Sequence, residues 1–263
     1  MTMAPASTSV HSTALVDPEA TLGEGADIGP FAIVGPRVVV GDRCQIGPRA
    51  VLEQNVRLAA GVRVGAGSIL GGEPQDLKYR GEESWVEIGT DTVIREYSTI
   101  NRGTAASGVT RVGAHCFIMS YVHLAHDCHL GDHVIIANGT QLAGHVTVHS
   151  RASLSGLVAI HQFVTVGSLA FIGGCSRVNQ DIPPFVKAVG NPVELYGLNS
   201  VGLQRAGMGE ETVRALKRVY RLFFNSDLNI SQAADRVRAE VPSLPEVTEF
   251  LEFIGRSNRG IPT

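Results

Sequence analysis

Residues 21–70 read TLGEGADIGP FAIVGPRVVV GDRCQIGPRA VLEQNVRLAA GVRVGAGSIL. Every sixth residue of this stretch is aliphatic, and a small residue, most often glycine, usually follows it. The aliphatic positions are Leu22, Ile28, Val34, Val40, Ile46, Leu52, Leu58, Val64 and Leu70. A short strand and a tight turn that recur every six residues are typical of a parallel β-helix, in which a repeat buries its aliphatic residue only by stacking on its neighbours.

The six-residue phase continues along the chain after two interruptions. Aliphatic residues occupy the phase again from Ile88 to Ile100 and from Val112 to Val178. The interruptions, at about residues 72–86 and 101–109, lack aliphatic residues in phase, and we expect them to protrude from the wall as loops. Residues 12–190 are therefore predicted to form one hexapeptide-repeat β-helix.

The pattern changes after Asn191–Pro192, where apolar residues begin to recur at helical spacing. This spacing predicts helices over about residues 210–225, 231–241 and 246–254. Residues 191–263 are expected to form a small α-helical C-terminal domain. Such a domain would cover the last coil of the β-helix, whose strand edge is otherwise open.

Composition excludes several classes of function. The net charge of -3 offers no basic footprint for nucleic acid, so no nucleic-acid partner is expected. No run of eighteen apolar residues predicts a transmembrane segment. Residues 1–11 lack the basic and apolar parts of an export signal, which favours a cytoplasmic protein. The four cysteines are widely spaced and form no CxxC pair, so buried thiols are expected rather than zinc or redox chemistry.

All of the nine histidines except His11 lie between positions 115 and 161. If three hexads make one triangular coil, residues 18 apart lie above one another at about 4.8 Å. Segments 123–127, 141–145 and 159–163 then form successive layers of one corner. This corner collects His123, His126, His145, His161 and Gln162, together with Gly144.

His126 is the strongest candidate for chemistry because Asp127 follows it directly. A carboxylate beside an imidazole fixes its tautomer and raises its basicity, provided that the two side chains meet. The pair therefore suggests a general base. Lone histidines elsewhere, such as His11 and His133, are expected to be surface or packing residues.

The motifs around this corner resemble one enzyme family, the acyl-acyl-carrier-protein:UDP-N-acetylglucosamine O-acyltransferases of lipid A biosynthesis. The resemblance extends from about residue 12 to Gly260. It is carried by HLAHDC at 123–128, LAGHV at 142–146, HQF at 161–163, GGCS at 173–176, QDLKY at 75–79, RGT at 102–104 and QDIPP at 180–184.

The resemblance implies a left-handed parallel β-helix and transfer of a 3-hydroxyacyl group from acyl carrier protein to UDP-N-acetylglucosamine. It also implies that His126 is the general base, that Asp127 orients it, and that the Gly144 N–H stabilises the oxyanion. The expected substrate-binding residues, in a cleft between the subunits of a homotrimer, are Asp76, Lys78, His123, His145, His161, Gln162, Asn199 and Arg205. Gly174 matches the family's position that limits the length of the acyl chain, and its missing side chain implies a longer acyl group. No cofactor or metal is implied.

The sequence departs from the family pattern at two positions, and other functions of the same fold stay open. Asn101 and Ala206 replace a histidine and a second arginine that the family often carries. The same histidines could bind zinc between subunits, as in hexapeptide-repeat carbonic anhydrases. Related N-acyltransferases of the same pathway carry an additional domain before their repeats, whereas repeats here begin by Leu22. An acetyl-coenzyme-A-dependent sugar-nucleotide acetyltransferase and a non-catalytic solenoid are the remaining alternatives.

Overall fold

Three parallel sheets form the walls of a triangular prism in the computed structural model, which describes residues 7–262. Residues 1–6, part of the segment predicted to carry no export signal, lie outside the described residues. Up to residue 178 the chain visits sheets A, B and C in turn, one short strand in each, and its last two strands both join sheet A. Sheet A contains β1 (Ser9–Val10), β4 (Asp27–Ile28), β7 (Gln45–Ile46), β10 (Arg63–Val64), β13 (Val93–Ile94), β16 (Phe117–Ile118), β19 (Ile135–Ile136), β22 (Ser153–Leu154), β25 (Phe171–Ile172), β27 (Val186–Val189) and β28 (Glu194–Leu198).

The other two walls are built in the same way. Sheet B contains β2 (Leu15–Val16), β5 (Ile33–Val34), β8 (Val51–Leu52), β11 (Ile69–Gly72), β14 (Thr99–Asn101), β17 (His123–Leu124), β20 (Gln141–Leu142), β23 (Ala159–Ile160) and β26 (Arg177–Val178). Sheet C contains β3 (Thr21–Leu22), β6 (Val39–Val40), β9 (Val56–Leu58), β12 (Trp85–Ile88), β15 (Val109–Val112), β18 (His129–Leu130), β21 (Thr147–Val148) and β24 (Thr165–Val166).

Register explains the six-residue sequence pattern. Leu124 pairs with Leu142, and Leu142 pairs with Ile160, so residues 18 apart stack along the prism. These aliphatic side chains point inward and are at most 3 % exposed. Burying each one contributes roughly 1.5–3 kcal/mol, which is available only when the neighbouring coils are present.

The corners between the strands use a backbone conformation that is rare for residues other than glycine. Asp127, His145 and Phe163, one coil apart, have φ values of 59°, 61° and 64°. Aspartate and histidine enter this left-handed region more readily than bulkier residues do. Each such residue ends one wall and begins the next, so its side chain lies on the outer edge of the prism.

Both interruptions of the repeat leave the prism as loops at the corner where sheet B passes to sheet C. The loops comprise residues 73–84 and 102–108, each slightly shorter than its interruption. Trp85 and Val86 already belong to β12, because Val86 pairs with Val56 and is fully buried. Asn101 likewise still belongs to β14.

The C-terminal segment differs from expectation at its start. β28 lies beyond Asn191, where helix was expected, and it turns back to pair antiparallel with β27. Four helices follow, α1 (Ser200–Arg205), α2 (Glu210–Phe224), α3 (Ile230–Glu240) and α4 (Pro245–Arg256). A division into two domains at residue 190 stays a prediction.

Local sequence accounts for where these helices begin and which faces they bury. Asn229 and Gln232 form a reciprocal capping box at the start of α3, and Pro245 occupies the first turn of α4. The apolar face of α2 is buried through Leu216 and Val219, and α2 packs against α3, α4 and β28. None of the helices within residues 7–262 is long and apolar enough to cross a bilayer.

Candidate active site

The corner between sheets B and C, here called the B–C corner, gathers most of the polar residues singled out in the sequence. It consists, layer by layer, of loop 73–84, loop 102–108, and the turns at 125–128, 143–146, 161–164 and 179–181. The predicted stacking of the three histidine layers is found in the backbone, since His123, Gln141 and Ala159 are successive register partners. The wall therefore holds these turns at fixed spacing.

His126 and Asp127 meet directly. The Nδ1 atom of His126 lies 2.7 Å from Oδ2 of Asp127. A carboxylate can only accept at this contact, so Nδ1 carries the hydrogen and Nε2 carries the free lone pair. The His126 side chain is 12 % exposed, which leaves Nε2 able to meet a substrate in a largely dry setting.

Loop 102–108 holds the carboxylate of Asp127. Oδ1 accepts hydrogen bonds from the Thr104 N–H at 3.0 Å and from the Ser107 hydroxyl, and Oδ2 accepts from the Thr104 hydroxyl at 2.8 Å. Burial alone would raise the pKa of Asp127, but the hydrogen bonds from Ser107, His126 and Thr104 outweigh it and lower this pKa to about 2. Asp127 is therefore a fixed anion beside the imidazole at neutral pH.

Gly144 lies against the imidazole of His126, one coil further along the prism. A Cβ atom built on Gly144 would lie 2.5 Å from Cε1 and 2.7 Å from Nε2 of His126. Only glycine allows this approach. Its neighbours Ala143 and His145 donate their backbone N–H groups to Ile160 and His126, whereas the Gly144 N–H donates to no acceptor within residues 7–262.

Two further histidines border the pair. His145 stacks on Phe163 with ring centroids 4.4 Å apart and presents its ring edge-on to His126 at 5.1 Å. His123 shares a hydrogen bond of 2.7 Å between its Nδ1 and the Thr99 hydroxyl. Burial lowers the pKa of both His123 and His145, which favours their neutral forms.

Loop 73–84 brings Asp76 and Lys78 towards the same corner. The charge of Asp76 is felt at His145, where it acts to raise the pKa against the larger effect of burial. Lys78 is exposed and donates its backbone N–H to the Asp76 carboxylate at 3.0 Å. The loop is anchored by Arg102, which is 1 % exposed and donates to the Gly71 carbonyl and, at 3.1 Å, to the Tyr79 hydroxyl.

Three predicted site residues lie away from the B–C corner. Asn199 caps α1, because its side chain accepts from the Gly202 N–H at 3.0 Å and donates to the Leu169 carbonyl at 2.8 Å. Arg205, at the end of α1, is exposed. Gly174 is exposed at the corner between sheets A and B, where a Cβ would lie 3.2 Å from the Gly156 carbonyl oxygen. The expected roles of these residues in substrate binding stay predictions.

The zinc alternative can be tested against the donor set. His126, Asp127 and His145 present ligand atoms within 4.8 Å of one another. The carboxylate of Asp127, however, already accepts hydrogen bonds from Thr104, Ser107 and His126. A metal ion here would have to displace the bond that orients His126, so the donors fit acid–base chemistry better than coordination.

The sequence reading missed the residues that hold the histidines. Thr104 and Ser107 fix Asp127, and Thr99 binds His123. A signal for the first two was present, because each loop begins two or three residues after an inward aliphatic residue of sheet B, loop 73–84 after Leu70 and loop 102–108 after Ile100. Counting that phase would have placed loop 102–108 directly beside His126.

The hexapeptide coils of the prism place the chain in the class of hexapeptide-repeat transferases. Within the chain, residues 37–72 and 110–144 match the family model described as bacterial transferase hexapeptide (six repeats). Residues 181–262 match the model described as UDP N-acetylglucosamine O-acyltransferase, domain 2.

Curated relatives narrow the class to one family. An acyl-[acyl-carrier-protein]–UDP-N-acetylglucosamine O-acyltransferase of Syntrophobacter fumaroxidans is 48% identical over 73% of this chain and 75% of its own length. One from Sulfurihydrogenibium is 51% identical over 73% and 72%. The chain belongs to this family, and the resemblance stated from its motifs is confirmed.

Solved structures agree with the sequence relatives. The UDP-N-acetylglucosamine acyltransferase LpxA of Bacteroides fragilis superposes with a TM-score of 0.95 at 40% identity, covering 97% of this chain and 100% of the other. The Francisella novicida enzyme gives 0.93 at 35% identity over 96% and 93%. The predicted fold, a left-handed parallel β-helix followed by an α-helical C-terminal segment, is confirmed.

Proposed function

We propose that this protein transfers a 3-hydroxyacyl group from acyl carrier protein to the glucosamine 3-hydroxyl of UDP-N-acetylglucosamine, the first step of lipid A biosynthesis. The observation that carries the proposal is the contact of 2.7 Å between His126 and Asp127, with the opposite ring nitrogen facing Gly144. The names of the family members supply the two substrates.

The geometry supports a base-catalysed acyl transfer. Nε2 of His126 takes the proton of the 3-hydroxyl while the hydroxyl oxygen bonds to the thioester carbonyl carbon. The carbonyl oxygen, now negative, is stabilised by the N–H of Gly144. When the carbon–sulfur bond breaks, the protonated His126 returns the proton to the departing thiolate, so no proton is lost or gained.

Asp127 has an electrostatic and an orienting role in this scheme. Its negative charge stabilises the imidazolium that forms when His126 takes the proton. Its hydrogen bond also keeps the imidazole in the tautomer whose Nε2 is free. The low pKa of Asp127 keeps the carboxylate ionised throughout, so it does not compete for the proton.

The substrate-binding set extends along the corner. We propose that His123, His145, His161, Gln162, Asp76 and Lys78 bind the two substrates, and that Gly174 leaves room for a long acyl chain. Asn199 and Arg205 lie away from the B–C corner of their own protomer, so they would act on the site of a neighbouring copy. The proposed assembly is a homotrimer in the cytoplasm.

Two observations support this assembly and location. The corner between sheets A and B exposes a ladder of large apolar side chains, including Phe31, Tyr97, Tyr121 and Leu157, each more than half exposed. Tyr97 and Tyr121 stack with ring centroids 5.4 Å apart. Large apolar side chains exposed along one corner are typical of an interface. The four cysteines are free thiols, as expected in a reducing compartment.

Activity is tested by incubating the protein with 3-hydroxyacyl and plain acyl carrier proteins and UDP-N-acetylglucosamine, in the presence of a chelator. Mass spectrometry should find a 3-O-hydroxyacyl product. His126→Ala should lower turnover at least about 100-fold. His133→Ala is the matched control, since His133 stacks on His115 at a different corner. If UDP-N-acetylglucosamine is recovered unmodified, it is not the acceptor substrate. Turnover that required added zinc would favour the metal alternative.

The assembly is tested by light scattering on the eluting protein. The expected mass is three times the 27.9 kDa of the chain. Tyr121→Glu, which places a charge on the exposed apolar ladder, should lower this mass. A wild-type protein that elutes as a stable monomer and is fully active would contradict the trimer and the shared cleft together.

A further inference from the structure

The chain returns to the B–C corner after its last helix. Residues 257–261, here called the C-terminal clasp, dock on Asp181, which is 2 % exposed. Oδ2 of Asp181 accepts from the Ser257 hydroxyl at 2.7 Å and from the Arg259 N–H at 3.2 Å. The Asp181 N–H donates to the Gly260 carbonyl at 2.8 Å, and Ile261 is buried beneath. These contacts fix the backbone of the clasp.

The fixed backbone places the Arg259 side chain on His161. One guanidinium nitrogen of Arg259 lies 2.9 Å from Nδ1 of His161 and 3.5 Å from the Asn179 carbonyl oxygen. Nδ1 of His161 also lies 3.2 Å from the Gln162 carbonyl oxygen, to which it could only donate. A guanidinium has only donors and stays protonated, so the shorter contact with Arg259 assigns Nδ1 as the acceptor. The hydrogen of the neutral ring is then on Nε2. Arg259 thus selects the tautomer of His161, as Asp127 selects the opposite tautomer of His126.

His161 belongs to the layer two coils beyond His126. Gln162 follows it and stacks on Gly144, which in turn stacks on His126, so the two histidines are separated by two strand spacings, about 10 Å. Substrates that carry a sugar nucleotide or a long thioester arm extend at least this far from the reacting atoms. An Nε2–H at this distance would meet a carbonyl or phosphate oxygen of the substrate.

We propose that Arg259 is a positioning residue of the active site, which holds His161 as a hydrogen-bond donor to a substrate oxygen. The proposal rests on the proposed use of the B–C corner for acyl transfer. It makes the clasp, 98 residues from His161 in sequence, a part of the site. The substrate oxygen belongs either to the nucleotide sugar or to the thioester arm, and the kinetics distinguish these sources.

A double-mutant cycle tests whether Arg259 acts through His161. Kinetics are measured for Arg259→Met, His161→Ala and the double variant, with each substrate varied in turn. We expect Arg259→Met to lower kcat/KM about tenfold, mainly through the KM of one substrate. The kcat/KM of the double variant should equal that of His161→Ala, because Arg259 has no further effect once the imidazole that it positions is absent. Arg259→Lys, which keeps a charged donor, should recover part of the loss.

Two controls separate positioning from anchoring. Arg256→Met removes an arginine three residues earlier whose side chain is 80% exposed and pairs with Glu252; it should leave kcat/KM unchanged. Ser257→Ala weakens the hold on Asp181 without removing a contact to His161. Melting temperatures are recorded for every variant, and Arg259→Lys replaces Arg259→Met in the cycle if the latter unfolds.

The outcomes are distinguishable. If the losses of kcat/KM in the two single variants multiply in the double variant, the proposal is wrong. It is also wrong if Ser257→Ala loses as much kcat/KM as Arg259→Met and its melting temperature drops by the same amount. His126→Ala is measured in parallel. If that variant stays active, the proposed mechanism fails whatever the cycle shows; if it is inactive and the cycle is multiplicative, only the role of Arg259 is wrong.

Discussion

Replacing Gly144 with alanine tests the geometry of the general base more sharply than removing the base does. The new methyl group would lie 2.5 Å from Cε1 of His126, whereas ordinary contacts begin at 3.4 Å. The imidazole would therefore have to retreat by roughly 0.9 Å. Gly144 is not among the residues with positive φ, so alanine adds no backbone strain at this position.

The retreat is opposed by the bond of 2.7 Å to Asp127, so the ring can move only by stretching that bond or by leaving it. A displacement of about 1 Å typically costs on the order of 100-fold in rate, equivalent to about 2.7 kcal/mol of transition-state stabilisation. We expect kcat at saturating substrates to fall by about this factor. The melting temperature should fall only slightly, because Asp127 keeps its hydrogen bonds to Thr104 and Ser107 when the ring moves.

Gly255→Ala serves as the control, because a Cβ at Gly255 meets nothing within 4 Å. This variant should retain wild-type kcat. If Gly144→Ala retains more than half of the wild-type kcat while its melting curve is unchanged, His126 does not act from the position described, and the reasoning from Gly144 is wrong.

Three other substitutions probe the surroundings of the base. Since the pKa of Asp127 is lowered from 3.8 to about 2, its ionised form contributes on the order of 2 kcal/mol of stability above pH 4, which is lost as the pH falls towards 2. Asp127→Asn should therefore be less stable than wild type in urea at pH 7, and a gap that stays constant down to the acid limit of folding would contradict this. Gly174→Met should shift preference to a shorter acyl chain in competition between carrier proteins; an unchanged product distribution would remove Gly174 from the acyl site. Arg102→Met, which frees Tyr79 and with it loop 73–84, should raise KM more than it lowers kcat, and an equal loss in both would argue against a binding role for the loop.

The repeat was predictable because its energetics are local in the sequence. Each hexad contributes one inward aliphatic residue, and Leu124, Leu142 and Ile160 are buried where the six-residue phase places them. The coil of 18 residues then located the histidine layers without any tertiary information. The contact of His126 with Asp127 followed from their adjacency, although its side-chain geometry did not.

The six-residue repeat could not predict the contacts made by segments that do not belong to the repeat. Thr104 and Ser107 reach Asp127 from a loop whose conformation has no period, and Arg259 reaches His161 across 98 residues. β28 was missed for a similar reason. It pairs antiparallel with β27, so its stability comes from one neighbouring strand and not from a repeat.

The position of the site follows from the constraints of the prism. An insertion within a strand would shift the alternation of side chains and turn aliphatic residues such as Leu124 towards solvent. An insertion at a corner preserves the pairing of the inward aliphatic residues, since Leu70 pairs with Ile100 and Ile100 with Leu124, and the register shifts only after Leu70, where the first loop leaves. Both loops occur at the B–C corner. The walls can therefore remain regular and rigid while one corner accumulates irregular, chemically useful residues. The C-terminal clasp obeys the same constraint, because it docks at Asp181 on this corner and leaves the walls undisturbed.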